Sequence, residues 1–141
     1  MPEVKASLVS LLLINNNWLG LGKLIQLSKA NQAIIAAAEK GYKIDKKGNV
    51  TGPSGKKLKL MIKDGAESSY LGFKIWMNGE SIFVKVHRFQ AFKKFGNKMF
   101  GFDENGEEII VRHKNSHSFD NSESNILLGT HELNRRDRYR K

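Results

Sequence analysis

The chain has 141 residues and a formal net charge of +10, with 24 Lys and Arg against 14 Asp and Glu. This length suits one domain, or a small domain with an appendage, and the 40% of hydrophobic residues argues against disorder throughout. The absence of cysteine excludes a disulfide framework and any cysteine-ligated zinc. No stretch approaches the ~20 apolar residues that a membrane span needs, so we expect a cytoplasmic protein with no membrane partner.

The positive charge is concentrated in the first hundred residues. They hold 17 Lys and Arg against 6 Asp and Glu, whereas residues 101–141 hold 7 against 8. The first part therefore suits contact with phosphates, and the second carries the acids that a cation site needs. A basic protein with no nucleic-acid partner would show the same charge, so charge alone does not name the partner.

The hydrophobic pattern predicts an α+β fold in three regions. Residues 1–41 form a helical N-terminal segment, with one helix through residues 32–40 that is capped by Asn31 and closed by Gly41. Packing on the core is the expected role of this segment, and dimerisation or DNA contact are the alternatives. Residues 42–97 form β-hairpins and a short basic, aromatic helix, and residues 98–141 form a C-terminal ββα unit.

Turn residues divide the middle of the chain into short strands. A hairpin is predicted for residues 42–51, a lysine-rich strand for residues 56–63, and a second hairpin for residues 70–86. Asn78 and Gly79 are the strongest signal, because both central residues of a type I′ turn need a positive φ. A helix over residues 88–95 ends at Gly96, and Asn105-Gly106 predicts one more hairpin, between residues 99–103 and 107–111.

The last thirty residues bring together the side chains that suit hydrolytic chemistry. His113 ends an apolar run, where a strand gives way to a polar loop, and Thr130 is a good N-cap for a following helix. On that helix Asn134 and Asp137 are three residues apart and share one face. A histidine, an amide and a carboxylate around one hollow suit a hard cation and a water-activating base.

These residues also carry a family resemblance. His113, Asn125 in Asn-Ile-Leu-Leu-Gly-Thr, and Asn134 in Asn-Arg-Arg-Asp resemble the three marks of the HNH endonucleases, in the His-Asn-Asn variant common in bacteriophage and intron-encoded homing enzymes. Upstream, the Val-His-Arg-Phe segment around His87 is similar to one that often precedes the motif. The resemblance covers roughly residues 42–138. It implies a ββα-metal fold and a DNA endonuclease that leaves 5′-phosphate and 3′-hydroxyl ends, acting in the host cell if it is phage-encoded.

The resemblance also implies roles for individual residues. His113 is the general base, Asn125 ties down the loop that shapes it, and Asn134 is a ligand of a Mg²⁺ or Mn²⁺ ion. The residue before the base is often an aspartate that binds the same metal, and here it is Arg112. Arginine cannot coordinate a cation, so Asp137 is the predicted substitute ligand, and Arg112 is predicted to grip the scissile phosphate.

Double-stranded DNA is the predicted partner. The predicted contacts are His87, Arg88, Lys93 and Lys94, the lysines of strand 56–63, and Arg135, Arg136 and Arg138. For His87, a buried structural role is the alternative. The other two histidines, His117 and His131, are predicted to lie on the surface. The spacing of the histidines matches no zinc motif, so no structural zinc is expected.

Three functions remain open from the sequence. The first is a metal-dependent HNH endonuclease that nicks or cuts DNA, as a monomer or as a homodimer. The second is a module on the same fold that binds DNA without cutting it, its metal site weakened by Arg112. The third is a basic RNA-associated protein, which would leave the His-Asn-Asn pattern unexplained.

Overall fold

The computed structural model describes residues 27–65 and 68–131, and these form a mixed α+β fold. Within those ranges the α-helices are α1 (Lys29–Glu39) and α2 (Val86–Phe95), and short 3-10 helices cover Gly96–Met99 and Glu123–Asn125. The strands are β1 (Lys43–Ile44), β2 (Val50–Thr51), β3 (Met61–Asp64), β4 (Ser69–Met77), β5 (Glu80–Lys85), β6 (Ile110–His113) and β7 (Ile126–Gly129). They pair antiparallel as β1–β2, β3–β4–β5 and β6–β7.

The three-stranded sheet supplies much of the core. Its register pairs Phe73 with Val84 and Ile75 with Ile82, which places these apolar side chains on one face. Helix α1 contacts β4 and β5, and its buried side chains, among them Ile34, join the same apolar cluster. The predicted Asn-Gly turn between β4 and β5 is confirmed, with φ of 53° at Asn78 and 79° at Gly79.

Helix α1 begins earlier than the sequence predicts. Its N-cap is Ser28, whose hydroxyl oxygen accepts a hydrogen bond from the backbone N–H of Asn31 at 3.2 Å. The prediction of Asn31 as the cap was therefore wrong, because Ser28 already satisfies that amide. Gly41 follows the helix with φ of +98°, as predicted for a residue that closes it. The first 26 residues of the predicted N-terminal segment lie outside the described residues.

A predicted strand and a predicted hairpin are both shorter than expected. Turns at Gly52 and Gly55 return the chain along the first hairpin, so that the Leu58 N–H donates to the Val50 carbonyl at 2.8 Å. Strand β3 therefore starts only at Met61. Around Asn105-Gly106, the predicted hairpin is reduced to a bridge between Phe102 and Glu108. The Asp103 carboxylate accepts the N–H groups of Asn105 and Glu107, both at 2.9 Å, and tightens this loop.

Helix α2 lies at the centre of the described fold, in contact with β1, β4, β5, β6 and β7. It buries Val86, Phe89 and Ala91 and ends at Gly96, as predicted. The register of β6 and β7 pairs His113 with Ile126, which places His113 at the end of this ribbon that the loop of residues 114–125 connects. The helix expected to complete the ββα unit lies beyond His131, outside the described residues. No helix within residues 27–65 and 68–131 is long and apolar enough to cross a membrane.

Candidate active site

His113 is the last residue of β6 and is half-buried. Its Nε2 lies 2.7 Å from the side-chain oxygen of Asn121. An amide oxygen can only accept a hydrogen bond, so Nε2 carries the ring proton and Nδ1 keeps its lone pair. Among the described residues, only Asn121 hydrogen-bonds to this ring. The ring is thereby fixed in the tautomer that leaves Nδ1 able to take a proton.

Burial also favours the neutral form of His113. It lowers the pKa of His113 below the usual 6.5, while the hydrogen bond to Asn121 and the charge of Asp120 act in the opposite direction and only partly compensate. The imidazole is therefore uncharged at neutral pH. An uncharged imidazole with a free lone pair is the state that a general base requires.

Asn125 holds the loop that follows His113. It is 7% exposed, and its side-chain oxygen accepts from the backbone N–H of Asn115 at 3.0 Å. Its amide nitrogen donates to the Asn115 side chain at 2.9 Å and to the carbonyl of Asp120 at 2.8 Å. The two ends of the loop are thus joined through one buried side chain, which is the geometry expected of a residue that ties the loop down.

The sequence did not assign a role to Asn121, which positions the candidate base. Asn121 is 4% exposed. Its backbone carbonyl accepts a hydrogen bond from the Gln90 side chain at 2.9 Å, and the same nitrogen of Gln90 donates to the carbonyl of Asp45 at 2.8 Å. Gly48 packs so closely that an added Cβ would lie 2.8 Å from the carbonyl oxygen of Asn121. Helix α2 and the β1–β2 turn therefore fix Asn121 from two sides.

The His87 ring packs against the His113 ring. The two rings are 5.0 Å apart, and the other neighbour of His87 is the stacked ring of Tyr70, also at 5.0 Å. His87 is 7% exposed, and burial lowers its pKa well below 6.5, with smaller contributions from His113, Lys85 and Arg88. Its position supports the His113 ring and leaves little surface for the predicted DNA contact.

The cationic residues of α2 are partly engaged inside the protein. The Lys93 ammonium donates to the carbonyl of Ile44 at 2.6 Å. Lys94 donates to the carbonyls of Glu123 and Ile126 at 2.8 and 2.9 Å, and so holds the start of β7. Arg88 is half-buried, and this desolvation lowers the pKa of its guanidinium. The negative charge of Glu108 acts in the opposite direction and only partly compensates. The DNA contacts predicted for these residues remain predictions that rest on charge.

Arg112 lies on the other face of the β6–β7 ribbon from His113, because successive residues of a strand alternate. Its side chain crosses Gly129, where an added Cβ would lie 2.5 Å from Cδ of Arg112. Gly129 thus provides the space that the arginine occupies. The predicted contact of Arg112 with the scissile phosphate remains a prediction.

The predicted metal ligands Asn134 and Asp137 lie outside the described residues, as do Arg135, Arg136 and Arg138. Within residues 27–65 and 68–131, no group of three or more His, Asp or Glu side chains is placed to hold a metal ion. The Asp120 carboxylate in the His113 loop accepts hydrogen bonds from Asn115 and Ser122. The described part of the site therefore supplies a candidate base and its supports, and does not by itself form a cation site.

Comparison with solved structures gives a structural relative. No family model matches the chain, and no curated protein is significantly similar to it. The chain is similar to an HNH homing endonuclease. That solved structure concerns DNA binding and cleavage by the HNH homing endonuclease I-HmuI, with 22% sequence identity and a TM-score of 0.48. The match covers 70% of this chain and 51% of that chain, so this chain spans about half the length of that enzyme.

Buried His87 and half-buried His113 predict a pH-dependent stability. Because both pKa values are lowered in the folded chain, the unfolded chain binds protons more readily once the pH falls below about 6.5. The free energy of unfolding is therefore highest above that pH and decreases on acidification, by up to about 1.4 kcal/mol per pH unit for each histidine. Urea unfolding between about pH 7.5 and about pH 5 measures this slope.

The matched variant is His87→Phe, which keeps a stacked ring and removes one titrating group. It should show a shallower slope than the wild type over the same range, because only one of the two histidines then contributes. Equal slopes in the two proteins would contradict the assignment of His87 as a buried neutral histidine.

Proposed function

We propose that this chain is a metal-dependent HNH-type DNA endonuclease in which neutral His113 activates the attacking water. The main support is the hydrogen bond of 2.7 Å from Nε2 to Asn121, which leaves the lone pair on Nδ1. The lowered pKa of His113 keeps that lone pair free at neutral pH. The net charge of +10 suits a polyanionic substrate.

In the proposed step, Nδ1 of His113 takes one proton from a water molecule. The water oxygen forms a bond to phosphorus, the bond from phosphorus to the 3′ oxygen breaks, and the departing 3′ oxygen takes up a proton from solvent to become the 3′-hydroxyl. His113 becomes an imidazolium, whose charge is favoured by nearby Asp120. The Nε2–H bond to Asn121 persists throughout, so the ring does not have to turn. A positioned general base of this kind contributes about 10²–10⁴-fold to a rate.

The cation in this proposal is Mg²⁺ or Mn²⁺, and Asn134 and Asp137 are its proposed protein ligands. When bound, such an ion neutralises charge on the phosphate and on the departing oxygen. Arg112 is assigned to the phosphate, because a guanidinium matches two phosphate oxygens and cannot bind a cation. The proposed substrate is double-stranded DNA, and Arg135, Arg136 and Arg138 are further proposed contacts.

The second candidate is a module that binds DNA without cutting it. It is favoured by one observation, the arginine at position 112 where HNH enzymes often have an acidic ligand.

For the first candidate, the endonuclease, the oligomeric state decides the product. A monomer has one site and would nick one strand, whereas a two-fold dimer would cut both.

Conversion of supercoiled plasmid distinguishes these candidates. With Mg²⁺ or Mn²⁺ the protein is expected to produce nicked or linear DNA, and with EDTA it is expected to bind the plasmid without converting it. Conversion that is equal in EDTA would contradict the role of the cation. Binding without conversion on plasmid and phage DNA would support the second candidate, and stronger retention on structured RNA than on duplex DNA would support an RNA-associated protein.

A further inference from the structure

Gln90 of α2 is a polar side chain held entirely inside the protein. It is 0% exposed, and its neighbours on the helix, Phe89 and Ala91, are buried as well. Its amide nitrogen donates to two backbone carbonyls, of Asp45 at 2.8 Å and of Asn121 at 2.9 Å. Because burial of a polar group is unfavourable unless its hydrogen bonds are made, these two partners show what the side chain contributes.

The amide oxygen of Gln90 is buried and makes no hydrogen bond within the described part of the chain. A buried oxygen that has lost its water and gained no donor lowers the stability of the fold. An apolar side chain of the same length, such as methionine, would avoid this loss. Core packing alone therefore favours an apolar residue at position 90.

The two carbonyls that Gln90 binds differ in their other partners. The carbonyl of Asp45, which follows β1, also accepts from the N–H of Gly48 at 3.0 Å. Asn121 lies in the loop of residues 114–125, and among the described residues its carbonyl has no second donor. Gln90 therefore matters more to the position of Asn121 than to that of Asp45.

Asn121 connects Gln90 to the candidate base. Its side-chain oxygen accepts from Nε2 of His113 at 2.7 Å, while its carbonyl accepts from Gln90 at 2.9 Å. Gly48 leaves room for this arrangement, since an added Cβ would lie 2.8 Å from the carbonyl oxygen of Asn121. A shift of Asn121 by about 1 Å would take its side-chain oxygen out of hydrogen-bonding range of the His113 ring.

From these contacts we propose that Gln90 is a positioning residue of the nuclease, which holds the carbonyl of Asn121 so that its side chain fixes the His113 ring. This role rests on the proposed function, and it gives a residue of the core an effect on the rate of the chemical step. The buried amide lowers the stability of the fold through its unpaired oxygen, and it keeps the candidate base in one orientation.

Methionine at position 90 separates these two effects. The variant loses the unpaired oxygen of Gln90 and leaves the carbonyl of Asn121 without a donor, so one unpaired buried oxygen replaces another. The free energy of unfolding should therefore change little. The loop of residues 114–125 satisfies the carbonyl by shifting it towards water, and Asn121 then no longer fixes the His113 ring.

The test measures stability and nicking in Gln90→Met. Its midpoint of urea unfolding is expected to stay close to that of the wild type. Single-turnover nicking with Mg²⁺ is expected to fall by about 10–100-fold, the loss that a displacement of about 1 Å produces at a reacting group. The affinity for DNA in EDTA is expected to be unchanged, because Gln90 is buried and touches no ligand.

Nuclear magnetic resonance follows the His113 ring without DNA or a cation. In protein labelled with ¹⁵N at histidine, the two ring signals of His113 are identified by their absence from His113→Ala. They distinguish a protonated ring nitrogen from a bare one, and so report the tautomer. At neutral pH the wild type is expected to show a protonated Nε2 and a bare Nδ1. In Gln90→Met the two signals should move towards each other, because the ring then exchanges between tautomers.

Gln32→Met is the matched control. Gln32 lies on α1, and its amide nitrogen donates to the carbonyl of Leu27 at 2.8 Å. The control therefore makes the same chemical change and removes a comparable hydrogen bond. It should leave the nicking rate and the His113 signals as they are in the wild type.

Gly48→Ala reaches the same carbonyl from the β1–β2 turn. Its added Cβ should displace Asn121 and mix the tautomers of His113, with Gln90 still in place. If Gln90→Met does not fold, Gly48→Ala decides the outcome, and unchanged His113 signals in that variant would overturn the proposal.

The proposal is also overturned if the nicking rate and the His113 signals of Gln90→Met equal those of Gln32→Met. A large fall in the urea midpoint with unchanged His113 signals would overturn it as well, since Gln90 would then serve the fold alone. The ring signals do not depend on cleavage. Mixed tautomers in Gln90→Met, with no nicking by the wild type, would refute the nuclease and support the contact chain to His113.

Discussion

Replacing His113 with alanine is expected to lower the rate of plasmid nicking by about 10²–10⁴-fold and to leave the affinity for DNA unchanged. The loss follows because the variant has no lone pair at the position where Nδ1 is proposed to take the proton of the attacking water. In the described part of the chain the half-buried ring makes one hydrogen bond, to Asn121, so its removal should change the chemistry more than the fold. Single-turnover nicking with Mg²⁺, together with a binding titration in EDTA, measures both effects.

His117→Ala is the control for this prediction. His117 lies in the same loop and is exposed, so its loss should leave the nicking rate near that of the wild type. If His113→Ala nicks DNA as fast as His117→Ala, the general base is another group and the assignment of His113 is wrong.

Asn125→Ala is expected to destabilise the protein by about 3 kcal/mol, because three side-chain hydrogen bonds of about 1 kcal/mol each are lost from a buried position. Nicking should fall as well, since the loop that carries Asn121 to His113 is no longer tied down. Denaturant unfolding measures the first effect, and nicking well below the unfolding transition measures the second.

The matched substitution is Asn105→Ala, which removes an exposed asparagine in the turn before β6. It should change the free energy of unfolding by less than about 0.5 kcal/mol. Equal stabilities of the two variants would show that the Asn125 side chain does not hold the loop. A destabilised but fully active Asn125→Ala protein would separate the fold of the loop from catalysis.

Local signals in the sequence predicted the parts of the fold that depend on neighbouring residues. The positive φ required by a type I′ turn identified Asn78 and Gly79, and both adopt it. The end of β6 at His113 followed from an apolar run that meets a polar loop. Each of these features depends on a few neighbouring residues, so the local sequence is sufficient to predict it.

Features that depend on distant residues were not predictable in this way. Asn121 meets His113 only because its loop is held by Gln90 of α2 and by the β1–β2 turn. Lys94 is predicted to contact DNA, yet its ammonium donates to the carbonyls of Glu123 and Ile126. Both contacts join segments about thirty residues apart, and the hydrophobic periodicity of the sequence does not indicate which distant segments meet.

The three-stranded sheet combines a feature that the sequence predicts with one that it does not. The hairpin predicted for residues 70–86 is present as β4 and β5, and Phe73 and Ile75 of β4 are buried. The position of the Phe83 ring over Gly72 depends on the register between two strands, which the sequence fixes only through the turn at Asn78.

The most direct test of His113 as the base is the single-turnover nicking rate of the wild type from about pH 5 to about pH 8. Because the pKa of His113 is lowered below 6.5, the rate is expected to be steady near neutral pH. It should then fall about 10-fold per pH unit once the imidazole is protonated. A nicking rate that stays constant down to about pH 5, with the protein still folded, would contradict a neutral His113 as the base.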